Sequence, residues 1–190
     1  AHTLNKNEVY PFLFDAYLHA MAQKKSFCIL SPLRRGTFGA EGVNQFLAEA
    51  LQDKGVTTMP IVITRNIHSL ALCNGELGML DTKGGFALFP ATDTTDVFFD
   101  EKVAKRKIPE ALLPPYSYAF SLSVHKSQGS EFDHVILLLP EGSQVFGREL
   151  LYTAVTRAKK ELTFLGSDMT LCKTMEMTSQ RSSALLHELA

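Results

Sequence analysis

The sequence predicts an α/β protein: a parallel sheet with helices on both faces, interrupted by a small inserted β-barrel. Three observations carry that prediction. Unbroken apolar runs at 27–31, 135–139 and 162–165 have the length and continuity of strands buried on both faces, as in a parallel sheet. Stretches with apolar residues at helical spacing alternate with these runs. Between about 57 and 115 the texture changes to short β-rich runs separated by turn residues, the pattern of a small antiparallel barrel.

In chain order, Asn7 is placed to cap a helix over 8–23, with Val9, Phe12, Leu13, Ala16, Tyr17, Ala20 and Met21 on its apolar face. Pro11 then falls in the first turn, where proline is tolerated. Phe27 to Ser31 is a buried strand bounded by Ser26 and Pro32, and a loop with Arg34, Arg35, Gly36 and Gly39 follows. A helix over 40–53 buries Val43, Phe46, Leu47, Ala50 and Leu51 and stops at Gly55. The inserted segment contributes strands near 60–64, 76–80, 85–89 and 96–99, with Asn74-Gly75 as a type I′ hairpin turn. Helical periodicity returns weakly at 102–113. Strands at 118–124 and 135–139 resume the α/β pattern, and a helix over 147–160 presents Leu150, Leu151, Ala154, Val155 and Ala158. After the strand at 162–165, Asp168 is placed to cap another helix, and the stretch from Ser179 fits a further one. This divides the chain into an α/β domain of 1–56 and 116–190 and an insertion of 57–115.

Bulk properties narrow the function classes. The chain has 190 residues, enough for one core with a small insertion. Its net charge of -1 excludes a protein that coats DNA through a global basic field, so any nucleic-acid contact is local. Cys28, Cys73 and Cys172 form no C-x-x-C, which argues against a disulfide framework or a zinc site and fits a reducing cytoplasm. No apolar run is long enough to span a bilayer, and no signal-peptide pattern opens the chain. The first residue is not Met, as expected for a piece of a longer protein.

The chemistry concentrates in 121–133, where an apolar strand runs into a polar loop and then a second apolar strand. A turn carrying His125, Lys126, Gln128 and Glu131 has no packing purpose of its own, and in open α/β sheets such turns lie in the ligand crevice. Gly129 lets the backbone approach a ligand closely. Gln128 and Glu131 suit a base or a ribose, and His125 and Lys126 suit a phosphate backbone. The plainer alternatives are a loop capped by its own side chains and, for His125, a structural hydrogen bond. Nothing else supplies a ligand set for metal binding by His125 and His134. Arg34 and Arg35 follow a strand, and their plain reading is a solvated pair. Lys102, Lys105, Arg106 and Lys107 form a basic cluster that suits DNA phosphates or a solvated face. Val97 to Glu101 has the look of a Walker B strand. Without a G-x-x-x-x-G-K-[ST] run anywhere in the sequence it reads as a strand end and turn.

The string His-Lys-Ser-Gln-Gly-Ser-Glu-Phe-Asp at 125–133 resembles motif V of the superfamily 1 helicases. Arg148 to Lys159, containing Tyr-Thr-Ala-Val-Thr-Arg-Ala, resembles motif VI. Leu30 to Gly36, with Gly39 and Asn44, resembles motif IV in its RecD-type form. The resemblance covers almost the whole chain and is strongest from 118 to 166. It implies a RecA-like (P-loop NTPase-type) second motor domain with an SH3-like insertion. It assigns Arg157 as an arginine finger on the γ-phosphate of ATP, a role suited to a planar, always-charged guanidinium. It places Gln128, Gly129, Glu131 and one of Arg34 or Arg35 on the nucleotide, and His125, Lys126 and Ser127 on single-stranded DNA. ATP and Mg²⁺ would be held mostly by an N-terminal motor domain carrying the phosphate loop. The implied whole is a 5′→3′ DNA helicase partnered with RecB- and RecC-like subunits in a RecBCD-type exonuclease for double-strand-break repair. A stand-alone helicase and a non-catalytic binding module remain open, as does an exposed Arg157 paired with Glu161 along a helix.

Overall fold

The computed structural model describes residues 4–91 and 105–178. Helix α1, Lys6–Ala22, is capped by Asn5, whose side chain accepts from the Asn7 N–H at 3.0 Å. The start therefore lies two residues earlier than expected, and Pro11 sits in the second turn, where Asn7 loses its helical donor. Tyr10 is buried on this helix while Phe12, expected on the apolar face, is exposed. Strand β1, Phe27–Ser31, and helix α2, Ala40–Asp53, have the expected bounds. Gly55, at φ 75°, turns the chain out of α2.

Strand β2 is Thr58–Ile63, β3 Leu77–Asp81, β4 Phe86–Pro90, β5 Lys105–Pro109 and β6 Tyr116–Tyr118. They form a five-stranded antiparallel sheet in the order β5-β4-β3-β2-β6. Its core holds Ile61, Ile63, Leu72, Leu80, Ala87, Phe89 and Ile108. This sheet stands where the barrel was expected, and among the described residues no ladder joins β5 to β6. Because β6 pairs with β2, the sheet runs on to Tyr118, past the boundary at 115. The weak helical pattern at 105–113 is instead β5 and a 3-10 turn at Glu110–Leu112, held by pairing with β4. Gly75 has φ 88° while Asn74 is not left-handed, and the Glu76 N–H bonds to the Cys73 carbonyl at 3.1 Å. That is the type II pattern rather than type I′. The Walker B-like run, Lys102 and the stretch from Ser179 lie outside the described residues.

Strand β7 is Ser121–Ser123, β8 Phe132–Leu139 and β9 Ala158–Gly166. With β1 they form an all-parallel sheet in the order β7-β1-β8-β9. Phe27, Ile29, Ile136 and Leu138 face α1 and α2. Cys28, Leu30, Val135, Leu137 and Leu139 face the other way, toward helix α3, Gly147–Val155. Alternate residues point to opposite faces, and both faces are covered, so the runs are apolar throughout. Helix α4, Asp168–Glu176, follows; its cap is Ser167, whose hydroxyl accepts from the Thr170 N–H, and Asp168 is in the first turn. Helix α3 ends at Val155 and not at 160, because Ala158 onward pairs with β8. Among the described residues no helix is long and apolar enough to cross a membrane.

Candidate nucleotide and nucleic-acid site

The loop from β7 to β8 begins with a 3-10 turn, Val124–Ser127. Val124 is buried in the core beside α3, which anchors the turn. Ser127 is fully buried, and its hydroxyl donates to the Val124 carbonyl at 2.7 Å. That corrects the expectation of Ser127 as a DNA donor: the hydroxyl fastens the turn from within. Gly129 follows at φ 85°, the one place in this loop that requires a residue without Cβ. His125, Lys126, Gln128 and Glu131 are all exposed.

Three of these side chains, His125, Lys126 and Gln128, divide between two clefts. Lys126 lines a cleft of about 450 Å³ with Arg34, Asn44, Thr64, Asn74 and Ser123, between the parallel sheet and the small sheet. His125 and Gln128 line another, of about 210 Å³, with Val145, Phe146, Glu149, Leu150 and Thr153. The structure thus brings Lys126 to Arg34 and His125 to Gln128, a different grouping from a separate DNA pair and nucleotide set.

Arg34 and Arg35 both lie on Glu41, the first-turn acid of α2, at 2.7 and 3.7 Å. Their side chains are 72% and 82% exposed, so these pairs add little stability and leave the arginines available to an anion. The loop that carries them is shaped by its backbone. The Ala40 and Glu41 N–H groups bond to the Leu33 and Arg34 carbonyls, the Ser31 hydroxyl donates to Phe38, and Tyr10 donates to the Thr37 carbonyl. Glu41 was not singled out from the sequence; its place in the first helical turn after two arginines was the available signal.

Arg157 follows α3 and precedes β9. Its Nε donates to the Thr153 carbonyl at 3.2 Å, Nη1 to the Ser130 carbonyl at 3.2 Å and Nη2 to the Thr156 hydroxyl at 3.1 Å. Its own carbonyl accepts from the Phe132 N–H at 2.8 Å. The guanidinium is therefore pinned against the loop that carries Gln128 and Glu131, with one N–H on each terminal nitrogen left over. The pairing with Glu161 does not form: Glu161 is on β9, beside His134 at 3.8 Å.

Two members of the basic cluster, Arg106 and Lys107, are engaged within the small sheet. Arg106 donates to the carbonyls of Pro90, Leu70 and Ala71 and pairs with Glu76, and Lys107 lies over the Phe86 ring at 3.7 Å. His134 is hydrogen-bonded to the Thr163 hydroxyl at 2.8 Å, and burial lowers its pKa. Among the described residues no three His, Cys, Asp or Glu side chains converge as a metal ion would need.

Residues 118–165 match the UvrD-like helicase C-terminal domain model. The chain is similar to the RecBCD enzyme subunit RecD of Haemophilus influenzae, 33% identical over 174 residues that cover 86% of this chain and 25% of that protein. It is also similar to the ATP-dependent RecD2 DNA helicase of Deinococcus radiodurans, 32% identical over 151 residues that cover 73% and 20%. The chain is similar to RecD-type helicases over most of its length and carries a match to a helicase C-terminal domain. It spans about a quarter of the length of the curated RecD relatives it matches. A Pif1 helicase structure from Candida albicans overlaps 70% of this chain and 36% of its own, at 18% identity and a TM-score of 0.42.

The chain has an all-parallel four-stranded sheet, and the small antiparallel sheet is inserted between α2 and β7. Asn44 and Asp133 lie in the motif strings, but the contacts they make were not legible there. Asn44 clamps both backbone groups of Ser121, donating to its carbonyl at 2.8 Å and accepting from its N–H at 2.7 Å. Asp133, the last residue of the motif V string, accepts from the Ser26 N–H and hydroxyl at 3.1 Å and from Lys160 at 2.8 Å. Burial pushes the Asp133 pKa up, but these hydrogen bonds outweigh it and hold the carboxyl below the usual range.

Proposed function

We propose that this chain is the second motor domain of an ATP-dependent 5′→3′ DNA helicase that works with RecB- and RecC-like subunits in double-strand-break repair, in the cytoplasm. The observation that supports it most is Arg157, held against the Gln128–Glu131 loop with spare N–H donors. A guanidinium that is fixed before the reaction stabilises charge on a transferring phosphoryl group without reorganising. Arg157 would close on the γ-phosphate of ATP held by the N-terminal motor domain of the same parent chain. Gln128, Gly129 and Glu131 would face the nucleotide beside it. Arg34 would reach phosphate from the cleft it shares with Lys126, with Arg35 as the more solvent-facing partner.

Lys126, and His125 from the other cleft, would contact single-stranded DNA through its phosphates, a sequence-independent mode. Domain closure and reopening around ATP would step the strand past this turn. ATP and Mg²⁺ would be held mostly by the N-terminal motor domain, which would carry the phosphate loop. The sequence has no G-x-x-x-x-G-K-[ST] run, so the 190-residue chain alone hydrolyses no ATP.

Strand-displacement assays on the full-length parent with its partner subunits test this reading. Duplexes with a 5′ single-stranded tail should be unwound in the presence of ATP and Mg²⁺, and those with a 3′ tail should not, once the RecB-like motor is inactivated. Unwinding from the 3′ tail alone, or none from either, would contradict it. Equal unwinding without the partner subunits would favour a stand-alone helicase.

A further inference from the structure

We infer that Asn44 is a positioning residue for the DNA grip: its carboxamide takes the place of a missing neighbour strand and so aims the Lys126 turn. The inference rests on the proposed DNA-side role of Lys126.

Strand β7 is three residues long and stands at the edge of the parallel sheet. The Ile29 N–H of β1 donates to the Phe120 carbonyl at 2.9 Å, so Phe120 faces β1. Backbone groups alternate sides along a strand, and those of Ser121 therefore face outward, where among the described residues no further strand pairs with them. Unpaired N–H and C=O groups at such an edge are costly when buried and leave the strand free to shift. Asn44 satisfies both, at 2.7 and 2.8 Å, with one rigid planar group. The bonds span 77 positions in sequence, and they join the second turn of α2 to the strand that leads into the turn.

The residues after Ser121 carry the position forward. Val124 is buried, and Ser127 is bonded back to it, so the turn cannot rotate independently of β7. Lys126 projects from that turn into the cleft that Asn44, Ser121 and Arg34 also line. One helical turn earlier on α2, Glu41 holds Arg34. A single helix start thus sets both cations of the cleft, one through an ion pair and one through the Ser121 clamp.

The test uses the full-length parent with its partner subunits and oligo(dT) as the DNA. The readout is the oligo(dT) concentration that half-maximally stimulates ATP hydrolysis. Asn44→Ala should raise it about tenfold, the scale of losing a part-buried pair of hydrogen bonds, while the KM for ATP does not move. The isosteric Asn44→Asp, which keeps the acceptor and loses the donor, should shift it in the same direction and guards against a variant that fails to fold. In a Lys126→Ala background Asn44→Ala should add less than about twofold, because the group it aims is already gone. A fall in maximal rate with an unchanged half-stimulating concentration overturns the inference, and so does full additivity with Lys126→Ala. If Lys126→Ala shifts the concentration and neither Asn44 variant does, the inference alone falls. If Lys126→Ala leaves it unchanged, the DNA-side reading falls and takes the inference with it.

Discussion

Asp133 shows how a residue inside a motif can serve the scaffold. Its carboxylate accepts from the Ser26 backbone and hydroxyl and from Lys160, and the Asp133 N–H donates to the Ser26 hydroxyl at 2.8 Å. The group ties the start of β8 to the residue before β1. Its folded pKa is lowered, so it contributes stability that is present above the unfolded value of about 4 and is lost as pH falls through the folded value. Asp133→Asn is therefore expected to cost about 1–3 kcal/mol at pH 7. The gap to wild type should narrow below about pH 4 as the native carboxylate is protonated. Urea midpoints of both proteins at pH 7 and pH 3 check this; a gap that is constant with pH would contradict it. Arg157 is the opposite case, since its structural bonds leave donors over for another molecule.

At the level of elements, legibility in the sequence followed locality. Strand β1 and helix α2 were readable to their bounds, because their periods, the flanking Pro32 and the stop at Gly55 are all local. The end of α3 was not. Ala158 falls four positions after Ala154 and fits a helical stripe, but its backbone is taken by Phe132 of β8, a pairing that local sequence does not contain. Strand β5 was missed for the same reason, its partner being β4. The Asn44 clamp could not be read without knowing that β7 is an edge strand. The motif V and VI strings were legible, but that Arg157 is bonded to Ser130 was not, since it depends on where α3 stops. Gly39 carries a prediction at this scale. A Cβ there would lie 2.4 Å from the Arg35 carbonyl oxygen, although the backbone conformation itself suits any residue. Gly39→Ala should push the arginine loop off α2 and lower stability by about 1–3 kcal/mol, read as a lower urea midpoint. An unchanged midpoint would mean that the loop yields freely.

Across the molecule, Lys126 and Arg34 share one cleft, His125 and Gln128 another, and Arg157 is pinned against the loop between them and β8. The parallel sheet supplies rigid ends for the two loops that carry them, and the small sheet walls the Lys126 cleft through Thr64 and Asn74. The arrangement makes sense as half of a site. Arg157 is braced from behind by Thr153, Ser130 and Thr156, as a group that must meet charge on a separate body has to be. The central claim is that this domain supplies the arginine that completes ATP hydrolysis by the parent motor. The most direct measurement is DNA-stimulated ATP hydrolysis by the full-length parent subunit, wild type against Arg157→Ala, with ATP binding measured alongside. The account predicts a fall of about 10³-fold or more in turnover, with the variant still folded and still binding ATP. Turnover equal to wild type would make Arg157 a surface residue braced for packing alone and would contradict the account.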